Sequence, residues 1–156
     1  MERAHRSGRP PRPGDLATLT GARYAVRRLE EIPRIPAEEE GEPDWYPLQH
    51  YFRLTAFGAN VYVAREAGGD LLGDHDERKS GQEELYLVIA GDASFTLDGE
   101  TVDAPAVSVV AVPDPGVVRG AKAKTAGTAV VALGGESRDA FSSSWQAKWF
   151  EGVPQI

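Results

Sequence analysis

The chain has 156 residues, a formal net charge of -7, 41% hydrophobic and 26% charged residues, and no cysteine. These figures describe one globular domain able to bury about two-thirds of its unfolded surface, and the acidic balance argues against nucleic acid or an anionic membrane as partner. Zero Cys removes disulfides, thiolate nucleophiles and zinc–thiolate centres; no window reaches membrane-spanning length and the Arg-rich beginning lacks the apolar run of a secretory signal, so a cytoplasmic protein is expected.

Residues 1–15 hold four Arg, three Pro and two Gly with almost no apolar content, and positions 1–20 read as a disordered arm. A first strand is expected over 24–29, with Tyr24, Val26 and Arg28 on one face. Ile32-Pro33-Arg34-Ile35-Pro36 can form only an edge or extended segment, because neither proline donates to a ladder. The acidic run 38–44 is a loop that could meet a cation but reads first as solvated. Trp45 and Tyr46 restart packed structure. A short helical turn follows over 47–54, with Pro47 at its first position, Leu48, Tyr51 and Phe52 toward the core, and His50 on the same turn. Residues 60–65 form a strand, with Val61 and Val63 opposite Tyr62. A turn at 66–70 leads into a strand from Leu71 toward 74–77, and 78–82 is a polar excursion.

Residues 83–102 organise the rest. They read as three strands broken at Gly91-Asp92 and Asp98-Gly99, the latter the strongest short-range hairpin signal because a type I′ turn needs positive φ at both central positions. The run 85–90 is apolar throughout, so both of its faces need cover. A second copy of the chain or the N-terminal strand could supply it, and a homodimer is expected. Further strands are expected over 107–112, 117–123 and 128–133, separated by Pro113-Asp114-Pro115-Gly116 and Thr125-Ala126-Gly127. From Asp139 onward Phe141, Trp145, Trp149 and Phe150 recur at roughly helical spacing behind Ser142 or Ser143 as a cap. Residues 137–156 are therefore expected to form a short C-terminal helical tail packed on the barrel. Eight or more short strands with Gly or Pro between them imply an all-β sandwich or closed barrel over 21–136. No internal repeat, Gly-rich nucleotide loop or Gly-x-Ser-x-Gly elbow interrupts it.

One cluster carries potential chemistry. Residues i and i+2 of a strand point the same way, so His75 and Glu77 face the interior while Asp74 and Asp76 face out; Glu84 and Tyr86 join them from what reads as the neighbouring strand. One imidazole and two carboxylates can hold iron, manganese or nickel, and such a centre would orient a substrate and polarise an oxygen. The same residues read first as a hydrogen-bonded pair in a metal-free mouth. Arg119 could neutralise Glu77 or Glu84, or grip a ligand carboxylate or phosphate from the rim. His50 completes the site only if its segment folds over the mouth.

The order Gly69, five residues, His75, one residue, Glu77, six residues, Glu84, six residues, Gly91 resembles the first motif of the cupins. In that motif glycine, five residues, His-x-His, three or four residues, Glu, six residues and Gly follow one another. Tyr86 and Asp92 sit where cupins often carry an aromatic residue and the polar residue of a turn. The second motif is partial: Val107 stands at its first glycine, Pro113 fits, Gly116 comes one residue late, and Val118 or Arg119 stands at its histidine. The resemblance covers about residues 59–133 and implies a cupin-type double-stranded β-helix, a jelly-roll barrel. Relative to it, Glu77 replaces the second histidine and the gap before Glu84 is longer.

Three functions follow as expectations. The first is a barrel binding a small organic ligand in its mouth through Tyr86, Arg119 and His50. The second is an oxygenase, isomerase or decarboxylase with one divalent transition metal (Fe, Mn or Ni) on His75, Glu77 and Glu84. The third is a dimeric interaction barrel. Fold analogy alone names no substrate.

Overall fold

A computed structural model describes residues 23–137 and 152–155. The Arg-rich arm and the aromatic stripe of the C-terminal tail lie outside the described residues. No helix among those described is long and apolar enough to cross a membrane.

Among the described residues, nine strands form two antiparallel sheets. They are β1 (Asp44–Tyr46), β2 (Gly58–Val63), β3 (Asp70–His75), β4 (Gln82–Ala90), β5 (Asp92–Leu97), β6 (Glu100–Pro105), β7 (Val109–Val112), β8 (Arg119–Ala123) and β9 (Ala129–Glu136). One sheet runs β1-β2-β9-β4-β7 and the other β3-β8-β5-β6. A 3-10 turn at Leu29–Glu31 and α1 (Leu48–Phe52) stand beside the sheets. The strand expected over 24–29 is not formed. Its positions Tyr24 and Val26 are exposed, and no strand among the described residues offers them a ladder.

Turn chemistry fixes the register of the central strands. Asp98 and Gly99 have φ of 48° and 86°, the left-handed pair a type I′ hairpin requires, and β5 and β6 pair from Leu97↔Glu100 to Asp92↔Pro105. Gly91 has φ 71°, and a Cβ there would lie 2.6 Å from Thr128 Cα. Glycine is needed because Thr128 Oγ1 must come in to accept the Asp92 N–H at 3.1 Å.

Alternation puts Tyr86 and Val88 of β4, Phe95 of β5, Leu71 of β3 and Val130 of β9 between the sheets, all fully buried. Ala93, Ala104, Ala121 and Ala123 complete this core with small side chains. The Tyr86 and Phe95 rings meet at 5.6 Å and 51° across the interior. The apolar run 85–90 is covered on its inner side, but on its outer side Ile89 stays 51% exposed. Its lack of alternation therefore overstates its burial.

Ahead of β1 the chain forms a strap, residues 35–44, along the seam between the edge strands β1 and β3. Ile35 and Trp45 exchange backbone hydrogen bonds of 2.7 and 3.0 Å, and Asp70 N–H donates to Gly41 O at 2.7 Å. Asp44, only 6% exposed, is held by Arg34 and by Arg65 Nε at 3.5 Å. Glu42 closes the turn by accepting the N–H groups of Glu38 and Glu39 at 2.9 and 3.1 Å.

Candidate functional site

His75 ends β3, Glu77 follows it in the loop to β4, and Glu84 and Tyr86 lie on the inner face of β4. β3 pairs with β8, whereas β4 pairs with β7 and β9 in the opposite sheet. Glu84 therefore meets His75 across the barrel and not from the neighbouring strand. Local alternation gives the face a side chain points to; which strand it faces is a property of the jelly-roll winding.

One ligand atom from each of His75, Glu77 and Glu84 lies within 4.8 Å of the others. His75 Nε2 is 3.7 Å from Glu77 Oε1 and 3.8 Å from Glu84 Oε2. The other ring nitrogen, Nδ1, sits 2.7 Å from the carbonyl of Gly73. A carbonyl can only accept, so Nδ1 carries the proton, and in the neutral ring the lone pair of Nε2 points toward the two acids. That is the arrangement in which imidazole ligates a metal.

Each carboxylate is held in place. Glu77 accepts from Ser80 Oγ, while its backbone N–H donates to Pro115 O at 2.8 Å. Glu84 Oε2 accepts from Tyr86 OH and lies 3.1 Å from Arg119 Nε. Gly134 faces Glu84 on β9, and a Cβ there would come within 2.7 Å of Gln82 Oε1 and 3.6 Å of Glu84 Oε1. A side chain at this glycine would push aside the end of Gln82 while meeting Glu84 in ordinary contact, which nothing in its flanking residues signals.

Arg119 pairs in register with His75 on β8 and is 0% exposed. Its Nη1 donates to Val117 O at 2.8 Å, and Nη2 has no hydrogen-bond partner among the described residues. Of the two roles open to it from sequence, the geometry is that of Glu84's counter-ion. The guanidinium lies beneath the site and not on a rim. Burial first, then the hydrogen bond from its hydroxyl to Glu84 and that residue's charge, hold the Tyr86 phenol well above its ordinary value of 10.0. Tyr62 is raised for related reasons, burial and then the charge of Glu84. His50 is exposed on α1, which packs on β2, and is not part of the His75 cluster.

A cavity of about 560 Å³ leads to His75 along the β1–β3 seam. Trp45, Tyr62, Leu71 and Leu72 form its inner walls, and the strap forms its outer wall. Trp45 stacks on Tyr62 at 6.5 Å and 24°, and its Nε1 donates to Asn60 Oδ1 at 2.8 Å. This wall was not legible beforehand: the acidic run reads as a solvated loop, and only the Trp45-Tyr46 pair after it hints at packing.

No protein-family model matches the sequence, and no curated protein is significantly similar to it. Solved structures are similar in fold. A sugar phosphate isomerase of the cupin superfamily from Silicibacter pomeroyi superposes with a TM-score of 0.57 at 18% identity, over 70% of this chain and 74% of that one. KdgF from a Halomonas species gives 0.55 at 18% identity, over 67% and 88%. A cupin protein from Bacteroides fragilis gives 0.57 at 18% identity, over 86% and 99%. With the two-sheet topology and the inward His75–Glu77–Glu84 cluster, these likenesses identify the architecture: this chain has the cupin fold.

Proposed function

We propose that the mouth of this barrel binds a small organic molecule, which lies under the strap and reaches toward His75. The observation that carries this reading is the cavity of about 560 Å³ walled by Trp45, Tyr62 and Leu71 and ending at His75. Its size suits a small ligand, and it combines apolar walls with a few convergent polar groups. The test is a panel of sugar phosphates, sugar acids, 2-hydroxy acids and small amines, read by calorimetry on the full chain. At least one class is expected to bind, and Gly73→Leu is expected to abolish that binding. Gly73 lines the cavity, and a Cβ there meets nothing within 4 Å. Silence across the panel, or unaltered binding by the Gly73→Leu protein, overturns the reading.

A second reading, a metal-dependent enzyme, is favoured by the fixed tautomer of His75 and the 4.8 Å convergence with Glu77 and Glu84. The donor set fits iron, manganese or nickel: one imidazole and two carboxylates leave coordination positions free for a ligand. Such an ion, when bound, would supply a Lewis acid to polarise a ligand oxygen. The chain's own residues would do the rest. Ser80 holds Glu77, Tyr86 and Arg119 hold Glu84, and the strap walls the ligand's outer side. Two of the similar structures are described as sugar phosphate isomerases, which supports including carbohydrate-derived compounds in the panel.

A further inference from the structure

The charge around the cavity is one-sided. Glu38 and Glu42 from the strap and Asp70 from β3 line it, and no Lys or Arg does so among the described residues. Lys122 offsets Asp70 from outside the lining. Arg119, which an anionic ligand would need, is sealed beneath Glu84 with 0% exposure. The remaining wall is aromatic and aliphatic, with Trp45 stacked on Tyr62. An indole face attracts a positive charge held within about 6 Å of it, more strongly than the other aromatic rings, and carboxylates lining the same cavity reinforce that attraction.

We propose that the cavity selects small organic cations, ammonium compounds whose charged head lies between the Trp45–Tyr62 pair and Glu38. The inference rests on the reading of the cavity as a small-molecule site and names its ligand class. It also assigns the strap a role: by carrying Glu38 and Glu42 over the seam, residues 35–44 set the sign of the charge admitted. A phosphate or carboxylate head placed there would face Glu38 and Glu42, with Asp70 already paired to Lys122 and no Lys or Arg in the wall among the described residues.

Three probes of nearly equal shape separate charge from size: choline, the neutral 3,3-dimethylbutan-1-ol and the anionic 3,3-dimethylbutyrate. Each is titrated into the full chain by calorimetry at pH 7.5 and low salt. Choline is expected to bind at least tenfold more tightly than the alcohol, and the butyrate not at all. Glu38→Gln is expected to weaken choline at least threefold while leaving the alcohol unchanged. Glu38 is exposed and its side chain holds no element together, so this variant folds; Trp45→Leu, checked for folding by circular dichroism, is expected to weaken choline more. Equal binding of all three probes, or preference for the butyrate, overturns the charge inference and leaves the small-molecule reading standing. No heat from any probe also overturns the inference, and the broader reading falls only if the wider panel is silent as well.

Discussion

Arg119 and Glu84 form an ion pair at 3.1 Å in which the guanidinium has no exposed surface. They come from opposite sheets, β8 and β4, so the pair ties the two layers together at the site. Removing one partner from a buried pair leaves an uncompensated charge and costs about 3–5 kcal/mol, whereas replacing both by apolar groups is often close to neutral. Arg119→Met is therefore expected to lower the unfolding free energy by about 3 kcal/mol in urea titration. The double variant Glu84→Leu/Arg119→Met should recover at least half of that loss, less about 1 kcal/mol for the hydroxyl of Tyr86 left without its acceptor. A single variant within 1 kcal/mol of the parent contradicts the pairing.

Tyr86 and Tyr62 make stability fall in alkali. Both phenols are raised above their ordinary value of 10.0 in the folded chain. Once the pH passes that value, the folded state binds more protons than the unfolded one. Their contribution is thus fully present below pH 10.0 and is lost as pH rises beyond it, with a slope of up to about 1.4 kcal/mol per pH unit for each group. Urea midpoints measured at several pH values from 9 upward should decline, and Tyr86→Phe should flatten the decline without abolishing it, since Tyr62 remains. An unaltered slope in Tyr86→Phe counts against the burial of the phenol.

Val107 has φ 73° and is 92% exposed, so a β-branched residue holds a left-handed conformation with no packing to offset it. Its backbone is locked there, Val107 N–H donating to Val88 O at 2.7 Å and Val88 N–H to Ser108 O at 3.0 Å. The left-handed conformation costs about 1–2 kcal/mol for an L-residue, more when β-branched, and glycine's extra chain entropy returns roughly 0.5–1 kcal/mol of any gain. Val107→Gly should raise the unfolding free energy by about 1 kcal/mol. Gly91→Ala, at the same sign of φ but against Thr128, should lower it by about 2 kcal/mol or more. Equal effects of the two substitutions would refute this account.

Metal content offers a direct reading of the His75 cluster. At a hundredfold excess over its dissociation constant, Mn²⁺, Ni²⁺ or anaerobic Fe²⁺ should add about 2.7 kcal/mol to stability. His75→Ala should erase that shift. Asp76→Ala should preserve it, because Asp76 points out to Arg78 at 3.0 Å. A melting temperature that none of the three ions moves in the parent chain would falsify the metal reading.

Asp44 anchors the strap. Its loss removes the hydrogen bond from the Arg34 guanidinium, a charged bond worth about 1.5–3 kcal/mol, together with the ion pair to Arg65. Cleavage of a transiently open segment follows the open population when reclosing is fast. Asp44→Ala should then be cut by a glutamate-specific protease at Glu38, Glu39 or Glu40 at least tenfold faster than the parent chain, with the barrel left intact. An unchanged cleavage rate would mean that the strap is held elsewhere.

The local steps are legible in the chain: the Asp98-Gly99 hairpin, the strand break at Gly91-Asp92, the inward face shared by His75, Glu84 and Tyr86, and the strand count behind an all-β barrel. Each depends on a period of two or on a backbone angle that few residues adopt, and both are written in neighbouring positions. Which residues meet is a matter of the winding. It set Glu84 against His75 from the opposite sheet, sank Arg119 beneath it, left His50 outside, and swung an acidic segment across the seam to wall a cavity. Those contacts join residues far apart in the chain, through sheet winding and the filling of space between layers, and no local pattern of polar and apolar side chains encodes them.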